Sequence, residues 1–267
     1  MKSILALLCI ILLPAPALAQ AGGSIFIEEM TWMEVRDRVA QGASTALVPI
    51  GGTEQSGPQM ATGKHNSIMR HAASDIARKV GGTLVAPLIS YSPSGRLSPP
   101  EGHMQFPGTL SVRSETLAML LEDVATSLKQ SGFRLICFIG DNAGSQSVQQ
   151  QVADSLSGRW AMEGVQVLNI NGYANTTEQG EWATNNGSMA PDPMAHAGMA
   201  ETSELMAVNL GQVRTAQFGA YTERDYASTG AAGDATQSNA SFGRGILGVK
   251  ITAAIRQIKQ AAGQSEQ

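Results

Sequence analysis

The chain has 267 residues, 43% of them hydrophobic, 15% charged and 5% aromatic, which excludes disordered, collagen-like and coiled-coil classes and calls for a packed core. Its 18 basic and 22 acidic residues give a formal charge of −4, which offers no electrostatic case for nucleic acid or an anionic membrane.

The first 19 residues read as a secretory signal peptide: a basic start at Lys2, an apolar run from Ile4 to Leu13, a break at Pro14 and Pro16, and Ala17-Leu18-Ala19 before Gln20. The run falls short of the roughly 20 residues of a membrane span, so the expectation is a protein released outside the cytoplasm, secreted or periplasmic, with no membrane attachment once the leader is cut. Cleavage removes Cys9 and leaves Cys137, which lies in an apolar run and reads as a buried strand residue rather than a nucleophile. The remainder, residues 20–267, is long enough for one α/β domain.

In chain order, residues 31–40 predict a helix opened by a capping box, with Thr31 as cap and Glu34 three residues on. Residues 45–50 are short and apolar, as a buried strand should be, and residues 66–80 carry apolar side chains at helical spacing. The alternation repeats with a strand at 83–89, a helix at 114–130, a strand at 134–139, a helix at 146–156 and a strand at 165–170. Helices at 200–209 and 238–262 complete it. Strands alternating with helices predict a mainly parallel central sheet covered by helices on both faces, a three-layer sandwich.

The irregular stretches 51–64, 91–108, 140–144 and 171–198 are rich in Gly, Pro, Ser and Asn and mostly follow predicted strands. In an open parallel sheet, ligands bind at the carboxyl ends of the strands, so these loops are expected to converge on one site. The histidines His65, His71, His103 and His196 lie in or near this set; His71, on a helical stretch, reads as a surface or packing residue. The chain lacks a GxSxG elbow, a phosphate-binding P-loop, an HExxH pair and a dinucleotide fingerprint.

Four segments resemble the signatures of the creatininase (creatinine amidohydrolase) family, in order: LVPIGGTEQSGP at 47–58, HMQFPGT at 103–109, GFR at 132–134 followed by GDNAGSQ at 140–146, and HAGMAETS at 196–203. The resemblance implies a metal-dependent hydrolase of a small amide, built on two divalent ions held by carboxylates and imidazoles. Carried over residue by residue, Glu54 and Glu201 match family acids. Ser56 and Gln59 stand where histidines are usual, His65 stands at a bridging aspartate, and Asn142 stands at a signature histidine, with Asp141 beside it as a further donor.

That set implies at most one divalent ion, zinc with manganese as the other candidate, held by Glu54, His65 and Glu201, with Asn142 and Asp141 in support. His196 matches the histidine that moves a proton in amide cleavage, and His103 and Trp182 are candidates for substrate contact. The alternative carries no metal: Glu54 bonds backbone amides, His65 caps a helix, and the chain is a non-catalytic small-molecule-binding or structural member of the fold. The resemblance also implies a homo-oligomer.

Overall fold

The computed structural model describes residues 23–188, 192 and 194–264; the leader at 1–19 lies outside them. Helix α1 (Trp32–Ala40) opens with the expected capping box: the Thr31 hydroxyl accepts from the Glu34 amide, and the Glu34 carboxylate accepts from the Thr31 amide. Strand β1 (Thr45–Ile50) follows with every residue buried.

Helix α2 (Lys64–Val80) begins two residues earlier than predicted and takes Lys64 and His65 into its first turn. Strand β2 (Thr83–Val85) is shorter than the apolar run that suggested it, and only an isolated bridge from Ile89 to Ile50 continues the pairing. Helix α3 (Ser114–Gln130), strand β3 (Leu135–Gly140), helix α4 (Gln146–Trp160) and strand β4 (Gln166–Asn169) come next. The stretch read as a loop at 171–198 contains helix α5 (Thr176–Asn185), capped by the Asn175 side chain accepting from the Thr177 and Glu178 amides. Helix α6 (Met199–Asn209), the single turn α7 (Tyr226–Thr229) and the long helix α8 (Ala240–Ala261) close the chain.

The four strands lie parallel in the order β2-β1-β3-β4. Pro49 is tolerated in β1 because its missing N–H faces β2 beyond Val85, where the ladder has ended; its carbonyl still accepts from Ile89 N at 3.0 Å. Strand alternation divides the core. Ala46, Val48, Ile136 and Phe138 pack against α3 and α4 through Leu117, Leu121 and Val152, whereas Leu47, Cys137 and Ile139 pack against α2 and α8 through Ile68, Ile76 and Ile251. Burial pushes the Cys137 thiol pKa up, so it is inert packing, as its sequence setting predicted.

Helices α6 and α8 pack closely at Gly243, where an added Cβ would overlap the Ser203 carbonyl oxygen, while a Cβ at exposed Gly248 meets nothing. Gly243→Ala should therefore destabilise by about 1–3 kcal/mol through overpacking. Gly248→Ala in the same helix should stabilise by about 1 kcal/mol through helix propensity. Urea denaturation of the pair checks both signs.

Candidate active-site pocket

The loops after β1 and β3, residues 93–95 and 102–103, and the starts of α2 and α6 enclose a cavity of about 480 Å3 at the carboxyl end of the sheet. Its floor is a chain of buried charges. His65, on the first turn of α2, sits between two acids, with Nε2 at 3.0 Å from Glu54 Oε1 and Nδ1 at 2.7 Å from Asp141 Oδ2. Glu54 Oε2 accepts from Asn142 Nδ2 at 2.7 Å, and Asp141 Oδ1 accepts from Lys250 Nζ at 2.6 Å. Lys250, on α8, also donates to Glu204 Oε2 on α6 at 2.9 Å.

Glu201 faces a second lysine. Its Oε1 pairs with Lys64 Nζ at 2.7 Å, and its Oε2 accepts from the Ala197 amide at 2.7 Å. Ala197 achieves this with a left-handed backbone, φ 57°, an unfavourable setting for a residue with a Cβ. Gln59, fully buried, bonds the Ala197 carbonyl at 2.6 Å and Thr202 Oγ1 at 3.1 Å, tying the β1 loop to the start of α6. Gln59 is thus a structural clamp.

With an acid on each ring nitrogen, His65 donates from both. Burial and Lys64 oppose that charge, but the bonds to Asp141 and Glu54 outweigh them and raise its pKa, so it is an imidazolium. Burial would raise Glu54 and Asp141; instead His65 and Lys64 hold the Glu54 carboxyl, and Lys250 and His65 the Asp141 carboxyl, below the usual range. Burial also opposes ionisation of Glu201, yet Lys64, His196 and His65 bring it down to about 2. Glu204 differs, since burial pushes it up to about 7 against the pull of Lys250.

His103 and His196 lie side by side near the rim, ring centroids 4.9 Å apart. The Gln55 amide Nε2 donates towards His103 Nδ1 at 2.7 Å and His196 Nε2 at 3.1 Å, while its Oε1 accepts from Gly57 N at 3.0 Å. These bonds occupy one lone pair on each imidazole, and burial lowers both pKa values, that of His196 to about 4, so both rings are neutral. His196 Nδ1 lies 3.6 Å from Glu201 Oε2.

A parallel sheet covered on both faces, with carboxylates, lysines and histidines gathered at its carboxyl end, makes this an α/β protein with a polar pocket at the strand ends. The family model for creatininase, creatinine amidohydrolase, matches residues 28–258, and the chain belongs to this family. A creatininase crystal structure superposes with a TM-score of 0.75 at 21% identity, covering 91% of this chain and 99% of that one. A mutant creatininase of Zn-Zn type gives 0.74 at 23% identity, covering 89% and 98%.

Among curated proteins, the chain is 26% identical over 238 residues to a mycofactocin precursor peptide peptidase of Mycobacterium tuberculosis, covering 79% of this chain and 83% of that protein. It is 25% identical over 185 residues to a 3-dehydro-scyllo-inosose hydrolase of Thermotoga maritima, covering 69% and 56%. It is 31% identical over 111 residues to the creatinine amidohydrolase of Pseudomonas putida, 42% of each. The chain thus spans about half the length of the last two relatives.

The structural neighbours include zinc and manganese forms, but the residues of this chain do not fit such an ion as they stand. Both oxygens of Glu54, Asp141 and Glu201 already accept from or pair with internal donors, and an imidazolium has no lone pair for a metal. Among the described residues, no group of three or more His, Cys, Asp and Glu side chains is arranged to hold one. Glu54, His65, Asp141 and Asn142 do meet, as their shared loops implied. Glu54 and His65 bond each other, however, and Glu201 pairs with Lys64.

Trp182 does not reach this pocket: it lies on α5 rather than in a loop and packs against Phe242 of α8, ring centroids 5.3 Å apart. His71 is exposed on α2, and buried Ser56 has a hydroxyl without a partner among the described residues. Sequence reasoning missed Lys64, Lys250, Glu204 and Gln55. For Lys250 a signal was present: it falls on the same helical stripe as Ile246, Leu247, Ile251 and Ala254, and a lysine on an apolar face needs a buried partner.

The network makes stability depend on pH with a definite sign. Glu204 holds its proton to about 7 in the fold against 4.5 ordinarily, so stability falls as pH rises through that window. The raised His65 contributes fully below 6.5 and loses its contribution as pH climbs through the folded value. Glu201, depressed to about 2, contributes above 4.5 and loses that as pH falls. His103 and His196, held below their ordinary value by burial, work the other way and add stability as pH rises to 6.5, so thermal melts should show maximal stability at about pH 6.5, and Glu204→Gln should steepen the rise between 4.5 and 6.5. A wild-type protein more stable at about pH 8 than at about pH 6.5 would show the network misassigned.

Proposed function

We propose that this protein binds a small polar molecule carrying an amide-like carbonyl and N–H in the creatininase pocket, without hydrolysing it. The carrying observation is that every acid facing His65 or Lys64 is already bonded on both oxygens, while the imidazoles of His103 and His196 hold protons weakly. A general base works best with a pKa near the operating pH; Glu201 at about 2 and His196 at about 4 are poor candidates, and Glu204 at about 7 is committed to Lys250. Glu201 and His196, with side chains 26% and 23% exposed, offer the second lone pair of a carboxylate oxygen and an N–H to a ligand.

The second reading is metal-dependent hydrolysis of a small amide, favoured by the 3.6 Å approach of His196 to Glu201 and by the hydrolase and peptidase names of the relatives. It requires Lys64 to leave Glu201. Titration calorimetry of a lactam and linear-amide panel against chelator-treated protein, followed by assay of the amine released, separates the two. Binding unaffected by chelator, with no release above the spontaneous rate, is expected. Release stimulated by zinc or manganese and abolished by chelator would overturn the proposal.

The leader supports export, secreted or periplasmic, as the setting of this binding. Exposed Trp32, Met33, Met119, Leu120 and Met162 support self-association. Light scattering at micromolar concentration should therefore give a homo-oligomer, and a monomer would contradict it.

A further inference from the structure

The placement of Lys64 has no structural rationale apart from the acids it faces. It is fully buried in the first turn of α2, where the helix dipole disfavours cations, and that turn holds no acidic residue. The neighbouring His65 carries a second positive charge in the same turn. A buried ammonium there is unfavourable unless negative charge compensates it. Its partner is Glu201 Oε1, an ion pair at 2.7 Å, and Nζ makes no directed hydrogen bond among the described residues. The charge of Lys64 helps lower the pKa of Glu54, Glu201, His103 and His196 and opposes the rise of His65, so it bears on the groups around the cavity centre. A divalent ion among these acids would exert the same influence.

We infer that Lys64 is a tethered cation that occupies the metal's electrostatic place beside Glu201 and keeps divalent ions out, so that removing its amine opens a zinc or manganese site at Glu201. The inference rests on the metal-free reading of the pocket. In the native protein Lys64 is a positioning residue: it holds Glu201 ionised and oriented towards the Ala197 amide. Without the ammonium, Glu201 has a free oxygen facing vacated space, and loss of the Lys64 charge also favours an incoming cation at Glu54. Carboxylate oxygens of this kind suit zinc or manganese.

The test compares wild type, Lys64→Ala, Lys64→Arg and the double variant Lys64→Ala/Glu201→Gln, each stripped with chelator and titrated with ZnCl2 and MnCl2 by calorimetry, with melting temperature followed in parallel. Lys64→Ala should bind about one zinc per chain, at least about tenfold more tightly than wild type, and its melting temperature should rise with zinc. Lys64→Arg, which keeps the charge, should behave as wild type, and Glu201→Gln should erase the gain. If Lys64→Ala does not fold alone, recovery of its circular dichroism on adding zinc or manganese supports the inference. A folded Lys64→Ala that binds neither ion more tightly than wild type, or an unfolded one that neither ion restores, overturns it. Failure of the preceding reading is seen separately, as stoichiometric metal in the wild-type protein before stripping.

Discussion

Four acids, the buried Glu54, Asp141 and Glu204 and the partly exposed Glu201, crowd one end of the sheet, and the rest of the site follows from the need to balance them. Carboxylates removed from water are strongly unfavourable unless paired. In this chain Lys64, His65 and Lys250 stand opposite the acids, each within 3.0 Å of a carboxylate oxygen. Three internal cations against three firmly ionised acids leave Glu204 as the group whose proton adjusts the balance.

The fold delivers these charges from elements that have other reasons to be where they are. Helices α2 and α8 cover one face of the sheet with Ile68, Ile76, Leu247 and Ile251, and the same helices carry Lys64, His65 and Lys250 to the strand ends. The loops after β1 and β3 bring Glu54, Asp141 and Asn142, and the close contact of α6 with α8 at Gly243 sets Glu204 against Lys250. Breaking one partner exposes an uncompensated buried charge, so the site and the stability of the fold are coupled. Gln55 completes the arrangement at the rim, bonding two imidazoles that burial keeps neutral beside an otherwise highly charged floor.

The layered architecture was legible because hydrophobic periodicity reports burial directly: the doubly buried strands 45–50 and 134–139 and the α3 stripe at Leu117, Leu121 and Leu128 appear where that pattern puts them. The short β2 was overread since Pro87 and the residues around it are apolar without being paired. Helix α5 was hidden in a polar segment whose cap, Asn175, looks like loop composition. At the site, motif positions located Glu54, His65, Asp141, Asn142, Glu201, His103 and His196 around one cavity. Motifs do not say which donor satisfies which acid. Lys64 stood next to a candidate ligand, and its role became visible only when its amine was seen against Glu201.

The protonation of His65 is the point at which this account is most exposed. Nitrogen-15 spectra of the selectively labelled histidine, in protein purified without added metal or chelator, report each ring nitrogen separately. At neutral pH the account predicts protons on both Nδ1 and Nε2, held between Asp141 and Glu54. A bare or metal-shifted nitrogen on His65 under the same conditions would contradict the account, showing that an ion rather than the chain's own cations balances these acids.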